Sequence, residues 1–153
     1  EVMMYAQNSF ISSTFWTERI GPSAALATLD EMEQTKSWQT ISSIGGQIKR
    51  TWRALAENNK LNITIGGLDA LANFSFETEN TVFKTFITQE MLKSKILASN
   101  AVYSCIEHKQ SDLDRYFNEL DSIFHSINLN RDPGKLRTLL DGPVCHDGFQ
   151  RLN

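Results

Sequence analysis

Leu61-Asn62-Ile63-Thr64-Ile65-Gly66-Gly67-Leu68-Asp69-Ala70-Leu71-Ala72-Asn73-Phe74-Ser75-Phe76 is the stretch whose reading decides the fold class. Leu61, Ile63 and Ile65 alternate with Asn62 and Thr64, the two-residue period of a strand with one face in a core. Gly66-Gly67 is expected to turn the chain. Beyond it, Ala72, Phe74 and Phe76 interleave with Leu71, Asn73 and Ser75, which predicts a second strand, antiparallel to the first, with its aromatic face toward the core.

Helical periods flank this hairpin. On its N-terminal side, Trp38, Ile41, Ile48, Trp52, Leu55 and Ala56 recur at spacings near three and four, which places them on one stripe of a helix spanning Ser37 to Lys60. Gly45-Gly46 marks a kink or a close helix contact, and Asn58-Asn59 offers a stop. Further upstream, Ala24-Ala25-Leu26-Ala27-Thr28-Leu29 is rich in helix formers, and Pro22 suits a first helical turn.

On the C-terminal side, Val82, Phe83, Phe86, Ile87 and Leu92 predict a helix from Thr81 to Lys95, and Ile96-Leu97 and then Ala101 to Ile106 return to strand. A helix starting at Ser111, with Asp114 completing a capping-box variant, puts Leu113, Phe117, Leu120, Phe124 and Ile127 on one inward face. Asp132-Pro133-Gly134 opens a shorter helix through Leu136, Leu139 and Leu140, closed by Gly142-Pro143. Helices separated by short, hairpin-compatible strands imply an α+β fold, a small antiparallel sheet covered by helices on one face. The other face needs a partner or solvent.

A chain of 153 residues with 41% hydrophobic content is enough for one core, so residues 1–153 are expected to form a single domain. Fifteen Lys+Arg against eighteen Asp+Glu leave a net charge of −3 with no basic block, so nothing favours nucleic acid. No window approaches the roughly 18 apolar residues of a membrane span. Cys105 and Cys145 lack a CxxC spacing and are too few for a disulfide framework, which points to a reducing, cytoplasmic setting.

Candidate chemistry is sparse. His108, His125 and His146 show no spacing that aims them at one metal, so no metal site is expected. Cys145-His146-Asp147 cannot turn three consecutive side chains toward one point. The carboxylate pairs Asp112/Asp114 and Glu31/Glu33 suit helix starts and polar faces. No catalytic residue is expected within the chain. What remains is Ser12-Ser13-Thr14-Phe15-Trp16-Thr17-Glu18-Arg19, where hydroxyls and backbone N–H groups beside a turn can hold a phosphate, with Arg19 as an anion partner. The same residues would equally serve a turn or an N-cap.

The stretch from Ser12 through Ala24-Ala25-Leu26-Ala27-Thr28-Leu29 resembles the segment after the active-site lysine in class-III pyridoxal-phosphate-dependent aminotransferases, the family that includes the glutamate-1-semialdehyde aminomutases. Leu97 to Ser104, His108 and Asp112-Leu113-Asp114-Arg115 look like that family's last strand and final helix. The resemblance implies that Thr14 donates a hydroxyl to the cofactor phosphate of a neighbouring subunit and that Ser13 takes the small residue before it. It implies pyridoxal 5'-phosphate (PLP) as cofactor, a homodimer, and an amino donor and oxo acceptor as substrates.

Trp16-Thr17-Glu18-Arg19 departs from the family's usual Ser-Gly-Asn-Pro. None of Lys36, Lys49, Lys60, Lys84, Lys93, Lys95, Lys109 and Lys135 stands in the family's lysine context. The resemblance therefore makes this chain the C-terminal small domain, with the large domain that carries the Schiff-base lysine absent and the chain alone inactive. From a different class, an α+β interaction module without catalysis, binding a protein through its uncovered sheet face and Phe15-Trp16, fits the same residues.

Overall fold

The computed structural model describes residues 18–146 together with Met4. Its contacts divide the chain into two units, Glu1–Ser37 and Trp38–Asn153. In the first, helix α1 runs over Ile20–Thr35 and ends on Lys36 in the left-handed conformation. Pro22 sits in its first turn, where a missing N–H forfeits no helical bond. The helix forms where the alanine-rich run predicts it.

The second unit is built from α2 (Ser37–Asn58), β1 (Ile63–Leu68), β2 (Leu71–Phe76), α3 (Asn80–Lys93), β3 (Ala101–Tyr103), α4 (Gln110–Leu129) and α5 (Pro133–Thr138). The strands form one antiparallel sheet in the order β1-β2-β3. The chain is thus α+β, with a small three-stranded antiparallel sheet and, among the described residues, five helices.

Register decides which face is buried. Phe76 opposes Ile63, Phe74 opposes Ile65, and Ala72 lies between Gly67 and Val102, so these side chains share the inner face. Phe74 meets Trp52 of α2 edge-on at 4.8 Å between ring centroids and Phe124 of α4 at 5.8 Å. Phe76 stacks on Phe83 of α3 at 4.4 Å. One strand face therefore gathers three helices around an aromatic centre, and Ile48, Ile87, Met91, Leu120, Ile127 and Leu136 close it without solvent exposure.

The turn falls elsewhere than expected. Leu68 pairs with Leu71, which leaves Asp69-Ala70 as the loop, and Gly66-Gly67 stays inside β1 opposite Asn73 and Ala72. Gly67 has φ +76°, and a Cβ there would overlap the Leu71 carbonyl oxygen, so the glycine serves the strand end rather than the turn. Lys49 of α2 fastens the tip, donating to the Gly67 carbonyl at 2.6 Å and to Asp69 Oδ1 at 2.9 Å. Gly45 has a related purpose. α2 continues through it, and the missing side chain lets the Asp69 carbonyl lie against the helix, so the close contact is with the hairpin and not with another helix.

Other expectations are corrected by what stands opposite each residue. Trp38 is 47% exposed because it lies about two turns before the point where the hairpin tip touches α2. In α3 it is Met91, not Leu92, that reaches the core. Ile96-Leu97 is not strand: Lys95 adopts φ +59° and Ile96 N–H donates to the Met91 carbonyl at 2.9 Å, a helix C-terminal cap. β3 stops at Tyr103 because its partner β2 begins at Leu71, and Ser104 N–H makes one further bond, to the Ala70 carbonyl. α4 starts at Gln110, with the Asp112 carboxylate accepting from Lys109 N–H at 3.3 Å; the box expected at Ser111 and Asp114 is displaced by two residues. α5 ends at Thr138, leaving Leu139 44% exposed.

Candidate functional site

The phosphate-binding candidates Ser13 and Thr14, and the neighbouring Trp16, lie outside the described residues. Arg19 is described, and its carbonyl accepts from Ser23 N–H at 3.0 Å as α1 begins.

The remaining titratable residues are spread apart. His108 Nδ1 accepts from Cys105 N–H at 3.3 Å, whereas His125 on α4 and His146 are exposed. Among the described residues no three His, Cys, Asp or Glu side chains gather as a metal site would require. Asp112 is occupied in capping α4, and Asp114 accepts from Gln110 at 2.7 Å. Cys145 is held on α3, its N–H donating to Thr85 Oγ1 at 2.9 Å.

A cavity of about 360 Å³ opens between α2, β3 and α4, lined in part by Ile48, Val102, His108, Leu113 and Tyr116. The Tyr116 hydroxyl accepts from Trp52 Nε1 at 2.9 Å. Burial pushes its phenol well above the ordinary tyrosine range, so it stays neutral near pH 7. On the opposite side of the sheet, Leu68, Leu71 and Tyr103 form an apolar row across all three strands, and Leu68 and Tyr103 are 77% and 75% exposed.

The lysines bear on cofactor chemistry. A lysine that condenses with a carbonyl at neutral pH is held in a desolvated or cationic pocket that lowers its pKa. Lys49 and Lys84 are half-buried, and Lys36, Lys60, Lys93, Lys95, Lys109 and Lys135 are exposed. Lys93 moves the opposite way, its pKa raised by hydrogen bonds to Glu90 and Asp141. Among the described residues no lysine is fully buried, so none stands in the enclosed setting a covalently held PLP uses, and no PLP step is drawn through them.

The arrangement of sheet and helices matches a solved structure. The PLP internal aldimine form of the FumI protein from Sphingopyxis sp. MTA144 superposes with a TM-score of 0.71 at 16% sequence identity, over 84% of this chain and 32% of that one. The chain has the fold of part of a PLP enzyme. It spans about a third of that neighbour's length. No protein-family model matches the sequence, and no curated protein matches it.

Within this fold, the residues that position the sheet have little signature in the sequence. The bond between Trp52 and Tyr116 joins positions 64 apart, and Ser104 Oγ donates to the Asp69 carbonyl across 35 residues. Tyr116 falls beside the stripe of Leu113, Phe117 and Leu120, and only the packing of α2 against α4 brings it into the core.

Proposed function

We propose that this chain supplies the small domain and the phosphate-contacting turn of a homodimeric, cytoplasmic class-III PLP-dependent aminotransferase or aminomutase. The observation that carries the reading is the fold shared with part of a PLP enzyme. The resemblance of residues 12–29 to the segment after the family's lysine supports it and narrows it.

In this reading, Thr14 Oγ1 donates to the cofactor phosphate across the subunit interface, and Ser13 and nearby N–H groups share the anion. The large domain supplies the Schiff-base lysine and the carboxylate that pairs the cofactor ring. PLP, when bound, acts as the electron sink for amino-group transfer between an amino donor and an oxo acceptor. The residues of this chain bind and orient it and help exclude water.

The test uses the whole protein. A hydrogen bond to a charged group is worth roughly 1.5–3 kcal/mol, so Thr14→Val is expected to weaken PLP affinity by about 10- to 150-fold, and Thr14→Ser much less. Titration of the apo-protein measures it. Equal affinity in wild type and Thr14→Val removes Thr14 from the site. The exposed row of Leu68, Leu71 and Tyr103 favours a second reading, a noncatalytic protein-interaction module. Absence of any PLP binding by the whole protein would select it.

A further inference from the structure

The two edges of the sheet differ. β3 is short, whereas β1 leaves a free edge along Ile63–Leu68, in unbroken register with β2. Phe74 N–H donates to the Asn100 carbonyl at 3.0 Å and Asn100 Nδ2 donates to the Phe74 carbonyl at 2.8 Å, so the backbone groups of Phe74 turn away from its partner Ile65. Phe76 N–H donates to Asn80 Oδ1 at 3.1 Å rather than to its partner Ile63. In an antiparallel pair alternate residues share one direction, so the N–H and C=O groups of Ile63 and Ile65 point outward from the sheet edge. The Gly67 carbonyl follows the same rule and is taken by Lys49 Nζ at 2.6 Å. Those of Ile63 and Ile65 have no partner among the described residues.

Natural edge strands are blunted by proline, a bulge or an inward-pointing charge. Ile63-Thr64-Ile65-Gly66-Gly67-Leu68 has none of these. Nor does α2 cover the edge, because a groove of about 340 Å³ lies between them, bordered by Ile63 and Ile65 on the strand and Arg53, Ala56 and Glu57 on the helix. Ile63 and Ile65 share a face with the buried Phe74 and Phe76 but are themselves only half-buried.

We propose that β1 pairs antiparallel with β1 of a second copy of this chain, about a twofold axis at Thr64, joining two three-stranded sheets into one. Ile63 then lies opposite the second copy's Ile65, and Ile65 opposite its Ile63, so the outward N–H and C=O groups of both residues find partners in one closed set. Charge favours a second copy over an unrelated strand. α2 runs antiparallel to β1, with Lys49 at Gly67 and the Ala56 carbonyl accepting from Leu61 N–H. Arg53 and Glu57, about one turn apart on α2, are exposed and in no ion pair among the described residues. The axis reverses the second α2, which brings Arg53 toward the second copy's Glu57 and Glu57 toward its Arg53.

Thr64 is exposed on the outer face, so Thr64→Lys sets like charges opposite each other at the axis without touching the core. Sedimentation equilibrium of the whole protein over a concentration series is expected to give the parent about twice the mass of Thr64→Lys. Amide exchange at Ile63 and Ile65 should slow as the parent associates. Ile65→Pro removes an outward N–H that the pairing with β2 does not use, and it should abolish the association too. Arg53→Glu should weaken it, and adding Glu57→Arg should restore it. Circular dichroism checks that the variants fold. Equal masses for the parent and Thr64→Lys at every concentration, or exchange at Ile63 and Ile65 that does not follow association, would overturn the pairing. A homodimer formed through another surface, as the PLP reading implies, leaves the ratio of masses in place, so the two readings fail separately.

Discussion

Trp52 and Tyr116 show how one polar contact fixes an aromatic core. Trp52 has no exposed surface, and its indole N–H finds an acceptor only in the Tyr116 hydroxyl. Trp52→Phe keeps the aromatic body but strands the hydroxyl, and Tyr116→Phe strands the indole, so each is expected to cost about 1–3 kcal/mol. The double variant should lose less than the sum, a coupling that denaturant midpoints in a double-mutant cycle would measure. Alkali acts on the same pair. Below pH 10.0 the phenol is neutral in both folded and unfolded chains; above it the unfolded chain ionises first, because the folded pKa is raised, and stability falls with rising pH. Unfolding curves on either side of that pH should show the fall, and Tyr116→Phe should reduce it.

Among the elements, the join between α2 and the hairpin depends on a missing side chain. Alanine ordinarily stabilises a helix by about 1 kcal/mol over glycine. At Gly45 the sign is expected to reverse, because the new Cβ would overlap the backbone carbonyl of Asp69 and push the hairpin tip away. A loss of roughly 1–3 kcal/mol is expected for Gly45→Ala. At Gly46 the nearest atom is Arg50 Nη1 at 3.2 Å, the far end of a flexible side chain, so Gly46→Ala should be neutral or stabilising. Thermal unfolding of the two variants makes the comparison, and equal effects would remove the close contact from the account. Two adjacent glycines were legible in the sequence as a feature; which of them touches backbone was not, because Asp69 lies 24 residues away and the approach is set by the register of β1 on β2.

For the whole molecule, the distribution of lysines bears on activity. Among the described residues no lysine is fully buried, so none stands in the desolvated pocket that Schiff-base chemistry uses. Incubation with PLP, borohydride reduction and peptide mapping are expected to give scattered substoichiometric labelling; one lysine labelled at full stoichiometry would show a pocket that this chain builds alone. The outer row of Leu68, Leu71 and Tyr103 belongs to the same scale. It lies on the face of the sheet opposite the one that carries Phe74 and Phe76, and Leu68 and Tyr103 there are largely exposed.

The sequence by itself determined the α+β class, the two hairpin strands, the inward face of α4 and the absence of a basic or membrane-spanning stretch, because these follow from local period and composition. It also supplied Thr14 and Ser13, which rest on resemblance and lie outside the described residues. Only the tertiary structure decided that Asp69-Ala70 makes the turn and that Trp38 is exposed while Tyr116 is buried. Period tells which side of a helix or strand a residue occupies. What stands opposite that side is set by register and by the packing of distant segments.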